Sequence, residues 1–328
     1  MNKNEKKMRK LLFLVLGVIV AFASCRKDDL LGEGNGKEVT VSLTAQLPTA
    51  SNELSRAAAP GDGSKVNRYI MEVYTGGELY KRMVQTTPEF DLRLVTDQTY
   101  DFLFWADCGT TGGDIPTDNH YKTEPLTEVT LIGDYEGNDD TRDAFCGNLT
   151  AQTITSAYTP AKVILTRPFG QLNVATQDLG EIGQERLKPT KVFIAFDTKL
   201  YTKLNVLDGS VSGEMQMQYV ANKDVVDEVG NLSMDYILAP VEEKSLIDFT
   251  MQFFNGTEMI TTNSNFKSVP IQRNYQTNVS GNLLTKQGKI TVEIKPAFDG
   301  TETHDVKEVA DVAALNSVLT DLSSSQES

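Results

Sequence analysis

Residues 248–262, DFTMQFFNGTEMITT, decide the fold class. Two short runs, 248–254 and 258–262, flank Asn255-Gly256. Asn-Gly between such runs is the strongest short-range signal for a β-hairpin, because both turn positions need positive φ. The same grammar extends outward in both directions. Upstream, 69–74 and 79–84 flank Thr75-Gly76-Gly77-Glu78, a second tight turn. Two further strands follow at 90–95 and 99–106. In the latter, TYDFLFWA, Tyr100, Phe102 and Phe104 fall on one face and Leu103 and Trp105 on the other, with Trp105 read as a core anchor. Alternation or apolar runs predict additional strands at 39–47, 129–132, 161–166, 171–176, 190–196, 201–206, 215–220, 235–239, 272–284 and 289–297. Many short strands with a turn every 8–12 residues or so, and scarcely a helical period, mean paired β-sandwiches and not α/β units.

The chain has 328 residues, 40% apolar and 23% charged, which suits two domains of about 150 residues each. The break falls at Arg167-Pro168-Phe169-Gly170, giving sandwiches at 38–169 and 170–299. Long loops are expected at 49–65, 107–124 and 133–147. The first contains Arg56 within reach of a protease. The last is acidic, with Asp134, Glu136, Asn138, Asp139, Asp140 and Asp143; its spacing is not that of an EF-hand, so it reads as a solvated loop and not a calcium site. In the tail, 300–328, Val312, Leu315, Leu319 and Leu322 recur at helical spacing. This short helical segment is read either as docked on the second sandwich, as frayed, or as the remnant of a third domain.

Composition excludes several functions. Five basic residues and one acidic residue precede Cys25, so the chain beyond carries 26 basic against 44 acidic residues, a net −18. A body this acidic is no partner for nucleic acid, which needs a basic patch. The only histidines are His120 and His304, too few for a histidine-rich metal site. No nucleophile elbow, zinc-protease motif, phosphate loop or C-x-x-C occurs, so neither an enzyme nor a cofactor is expected.

The N-terminus gives the address. Lys3, Lys6, Lys7, Arg9 and Lys10 precede the apolar run 11–23, too short to span a bilayer and bounded by charge, so 1–24 is a signal peptide. Phe22-Ala23-Ser24-Cys25 resembles a bacterial lipobox, which implies that Cys25 is acylated and anchored in outer-membrane lipid, with Phe22 departing from the usual leucine. Lys27, Asp28 and Asp29 resemble the export signal of Bacteroides-type surface lipoproteins, and 25–37 reads as a tether. Two cysteines remain, Cys108 and Cys146, a candidate disulfide in an oxidising compartment whose geometry the sequence leaves open.

The order of Cys25-Arg26-Lys27-Asp28-Asp29, YDFLFWAD at 100–107, DDTRDAF at 139–145, RPFGQLN at 167–173 and IQRNYQTN at 271–278 resembles the fimbrillin-like (type V fimbrial) surface lipoproteins of Bacteroides-type bacteria over residues 25–298. The resemblance implies an all-β fold of two tandem transthyretin-like β-sandwiches. It also implies a subunit anchored by lipid in transit and then cut after an arginine, here matched by Arg56. Loss of the first strand would open a groove for a strand from another fimbrial subunit. The polar tail departs from the donor strand such a subunit should end on, which keeps anchor, tip and non-polymerising surface roles open. Host or bacterial surface ligands are the other partners implied. Two rivals stand beside this reading: a glycan-binding lipoprotein of a polysaccharide-uptake system, marked by a solvent-facing aromatic platform, and a lipid-anchored hydrolase, marked by a cleft with two carboxylates.

Overall fold

The computed structural model describes residues 36–48, 62–182, 188–222, 230–285 and 290–296, nearly all of it strand, turn or loop. The chain divides into Met1–Lys37, of which only 36–37 are described, and Glu38–Ser328, which holds all the described strands. The predicted tail helix lies outside the described residues. In chain order the strands are β1 Glu38–Gln46, β2 Arg68–Thr75, β3 Glu78–Gln85, β4 Glu89–Val95, β5 Thr99–Asp107, β6 Tyr121–Lys122, β7 Val129–Leu131, β8 Ala144–Thr153, β9 Ala161–Ile164 and β10 Phe169–Thr176. The second half continues with β11 Lys191–Phe196, β12 Lys203–Leu204, β13 Val211–Ser212, β14 Gln218–Asn222, β15 Asn231–Leu238, β16 Ser245–Asn255, β17 Glu258–Ile271, β18 Tyr275–Gly281 and β19 Ile290–Pro296.

Both predicted hairpins form: Gly76 and Gly77 turn β2 into β3, and Asn255-Gly256 turns β16 into β17, with all three glycines at positive φ and Asn255, unlike the expected turn, at negative φ. The first sandwich packs the sheet β3-β2-β5-β8 on the sheet β4-β1-β9, and the second packs β15-β10-β18-β19 on β14-β11-β16-β17. Among the described strands each sandwich contains one parallel pair, β1 with β9 and β10 with β18. The fold is thus all-β with two tandem sandwiches. Several boundaries move. Where the sequence reads as the end of an acidic loop, β8 already runs from Ala144; its outward Asn148 and Thr150 carry no apolar signal. The predicted strand at 201–206 shrinks to two residues, and β17 extends to Ile271, past the predicted end at Thr262.

The halves share a third core. On β5, Tyr100, Phe102 and Phe104 point into the first sandwich, while Leu103 and Trp105 point the other way and are equally buried. They meet Tyr121, Leu126 and Val129 from the loops of the first half, and Phe169, Leu204, Val206, Tyr236 and Leu238 from the second. Trp105 stands edge-on to Tyr121 at 5.3 Å, Tyr121 lies 5.6 Å from Phe169, and Phe169 lies 6.1 Å from Tyr236. Beside this aromatic row, β7 pairs with β12, so the small sheet β13-β12-β7-β6 takes two strands from each half. β5 is therefore buried on both faces, which explains its unbroken apolar run.

Buried charges tie down what covers that face. Arg68, 2% exposed, grips Asp107 with two bonds of 2.8 and 2.6 Å and reaches Asp118 at 2.8 Å. Fully buried Glu72 accepts from Tyr74 Oη at 2.7 Å, from the Leu126 amide at 2.8 Å and from Arg82. In the connection between the halves, Arg167 binds Asp143 at 2.7 and 2.8 Å and lies 4.3 Å over the Phe145 ring. Gly170 lets β10 come this close to the β17–β18 connection, since a Cβ there would lie 2.6 Å from Ile271 and 2.7 Å from the Gln272 carbonyl.

Trp105→Ala is expected to destabilise the protein by about 3–5 kcal/mol in urea unfolding, as for a fully buried large side chain. A loss below about 1 kcal/mol would mean that the junction core does not hold the halves.

Candidate functional site

Cys25, Lys27, Asp28, Asp29 and Arg56 lie outside the described residues, which stop at Pro48 and start again at Asp62 on either side of the segment carrying Arg56. Cys108 and Cys146 are described and unbridged. The β5–β8 register explains this: Cys146 faces Trp105, three residues back from Cys108, roughly 10 Å along the strand at about 3.4 Å per residue. A disulfide tolerates no more than about 7 Å between Cα atoms. Burial in the junction core pushes the Cys146 thiol up to about 11. His120 hydrogen-bonds Thr141 at 2.7 Å, and burial together with Arg142 lowers its pKa.

The first strand is the feature that can act. β1 occupies the middle of its sheet, antiparallel to β4 from Glu38↔Val95 to Thr44↔Glu89 and parallel to β9 from Leu43↔Ala161 to Gln46↔Ile164. Among the described residues neither β4 nor β9 has another neighbour in that sheet. Val41, Leu43 and Ala45, each no more than 1% exposed, point inward with Phe90, Leu92, Leu94, Val163 and Leu165, while Ser42 outside bonds Asp91 at 2.5 Å. Burial of Val41 and Leu43 stabilises the fold by about 1.5–3 kcal/mol each. Without β1, two edges and a row of apolar sockets at every second residue would be left, the shape of an acceptor for an extended segment. The chain passes from this strand directly into the segment with Arg56.

The acidic loop behaves differently from the solvated expectation. Tyr135 Oη accepts from the Tyr236 amide at 2.9 Å and donates to its carbonyl at 3.2 Å. Asn138 gives its amide to Met234 O at 2.9 Å and takes the Met234 amide on its side chain at 2.8 Å. Gly137 bridges Ala221 of β14, and Asp140 accepts from Tyr236 Oη at 2.8 Å. The loop of the first half is laid into the second. Among the described residues no three His, Cys, Asp or Glu side chains gather as metal ligands.

Beneath the loop lies Asp235, 1% exposed, on the inward face of β15. Burial raises its pKa to about 7, while Tyr219, Ser233 and Arg142 pull it back. The Tyr219 and Ser233 hydroxyls stand near enough to exert that pull, yet neither they nor the carboxyl oxygens close a bond of ordinary geometry. Burial first, and then Asp235, likewise raises Tyr135 and Tyr219. A sequence signal existed: Met234-Asp235-Tyr236-Ile237 sets a carboxylate inside an apolar strand, on the face of Ile237.

A family model described as a family of unknown function (DUF6562) matches residues 33–315. No curated protein matches the chain in sequence. Among solved structures, a Bacteroides thetaiotaomicron protein provisionally described as polysaccharide binding (DUF1812) shares the fold, with a TM-score of 0.50 and 9% identity over 83% of this chain and 98% of that one. The fimbrial anchor protein of Porphyromonas gingivalis gives a TM-score of 0.45 at 12% identity over 79% and 97%. The tip fimbrial protein of the same organism, with a C-terminal truncation, gives 0.44 at 14% over 79% and 99%.

Asp235 makes stability pH-dependent with a definite sign. It is held protonated in the fold up to about pH 7 but ionises near pH 4 in the unfolded chain, so the fold binds the extra proton. Stability should therefore fall as pH rises from about 4 to about 7, by roughly 4 kcal/mol at 1.36 kcal/mol per pKa unit, and stay level above. Asp235→Asn removes that loss: its thermal midpoint should exceed wild type at pH 8 and approach it at pH 4, and an equal difference at both would exclude Asp235 as the source.

Proposed function

We propose that this chain, which belongs to the family of unknown function DUF6562, works at the cell surface as a fimbrial or fimbrillin-like structural and adhesion component, acting by binding and not by catalysis. It travels to the surface on lipid at Cys25, is then cut at Arg56, which releases it from that lipid, and is assembled with other subunits by strand addition. The observation that carries this reading is the position of β1: the central strand of its sheet, the sole sheet neighbour of both β4 and β9 among the described residues, and followed at once by the segment with Arg56. A strand placed at an edge would leave only one new edge when lost, whereas loss of this one leaves a two-sided slot. The motif order over residues 25–298 points the same way. The signal segment, the lipobox and the Lys27-Asp28-Asp29 signal supply the route to the outer membrane, where the acidic body has no electrostatic attraction of its own to anionic lipid.

A glycan-binding role is the second reading, and the B. thetaiotaomicron protein of the same fold is its motive. The chain's one tryptophan does not provide the platform that reading needs, since Trp105 is buried in the junction.

The test is N-terminal sequencing and acyl labelling of protein taken from its own cell surface, with unboiled detergent gels. The expected result is a mature end at Ala57, no lipid and a ladder of bands, collapsing to one acylated band in Arg56→Ala. An intact acylated Cys25 with a single band in the native protein would overturn assembly by cleavage and favour a stand-alone surface binder.

A further inference from the structure

The second sandwich is not closed by its own strands. The two edges facing the first half, β14 and β15, belong to different sheets, and among the described residues each has one strand neighbour. On β15 the outward backbone groups recur at every second residue: the carbonyl of Leu232, both groups of Met234 and both of Tyr236. That spacing is the ladder an added strand completes. It is completed here by a short mimic. Asn138 meets Met234 with its backbone amide and side-chain oxygen, at 2.9 and 2.8 Å, and Leu232 O with its side-chain nitrogen at 3.3 Å. Tyr135 serves both groups of Tyr236 with one hydroxyl. Gly137 gives its amide to Val220 O of β14 at 3.3 Å, joining the two edges.

The seat is shaped for this segment. A Cβ on Gly137 would lie 2.7 Å from Asp235 Oδ1, 3.0 Å from Ala221 Cβ and 3.1 Å from the Tyr219 ring, so no other residue fits without movement. The Tyr135 ring packs on Tyr219 at 4.6 Å and carries the Arg142 guanidinium 4.3 Å above it. We propose that the β14–β15 edge is a strand-binding site, filled in cis by Tyr135–Asn138, whose ligand is a short segment of the form Tyr-x-Gly-Asn with the Asn at positive φ, and which a second copy's loop occupies once the chain's own loop is withdrawn. The site is separate from the β1 slot and stands whether or not β1 is exchanged. In the intact chain the attached loop acts at an effective concentration of the mM order, so a free segment does not compete.

The probe is a fluorescent synthetic peptide of residues 133–140, GDYEGNDD, with a control carrying Val at the glycine. Gly137→Val withdraws the chain's own loop and leaves the acceptor strands unaltered. Wild type should not bind the peptide. The variant should bind it and not the control, and the Met234 and Tyr236 amides should exchange hydrogen at least about tenfold faster in the variant, with protection restored by peptide. Should Gly137→Val fail to fold, Tyr135→Phe combined with Asn138→Ala removes the side-chain bonds without steric load and should give the same pattern. Unchanged protection at Met234 and Tyr236, a loss spread equally through β10, or no peptide binding by a folded variant overturns the proposal.

Discussion

Everything in this molecule follows from a strand that is apolar on both sides. β5 places Phe102 and Phe104 in one core and Leu103 and Trp105 in another, and a single sandwich satisfies only the first pair. The second face must be covered, because a bare patch of Leu, Trp, Ile70 and Tyr74 in water would draw any apolar surface to it. The two long loops after β5 and the first strands of the second sandwich are the cover. That requirement is why two sandwiches that could each own a core are joined by a third core and by a small sheet drawn from both.

Covering a face with loops brings backbone amides and charged side chains into an apolar region, where they are tolerated only when paired. Glu72 illustrates the solution: a carboxylate on β2, inside the junction, collects an amide from the loop at Leu126, the Tyr74 hydroxyl and an arginine from the neighbouring strand. Arg68 does the same for Asp107 and Asp118, and Arg167 for Asp143. These pairs locate the cover more than they strengthen it, since desolvation offsets much of their attraction. Asp235 differs from these: buried, with no cation bonded to it and neither carboxyl oxygen closing a hydrogen bond of ordinary geometry, it is accommodated by keeping its proton.

How much of this the sequence revealed depended on the range of the interaction. The hairpins at Gly76-Gly77 and Asn255-Gly256 and the two faces of β5 were legible, because turn chemistry and alternation act within a few residues. β8 was not, as its buried trio Ala144-Phe145-Cys146 sits behind an acidic stretch and its outer half is polar. The acidic loop was read as solvated for the same reason: Tyr135, Gly137 and Asn138 owe their places to partners some 80 to 100 residues away, at Val220, Met234 and Tyr236. The middle position of β1 was equally hidden, since its parallel partner β9 arrives more than a hundred residues later. The slot that carries the functional reading is therefore a property of the topology, while Arg56, which would open it, is legible only in the sequence.

The parallel pairing of β1 also has a mechanical side. Were the chain held by its N-terminus ahead of any cut at Arg56, a pull directed along the axis of β1 would load that strand lengthwise. The pairs from Glu38 to Thr44 with β4 and from Leu43 to Gln46 with β9 are then loaded in shear, so they share the force and must fail together, not unzip one by one. Under that load β1 is gripped from both sides, and tugging alone is a poor way to extract it.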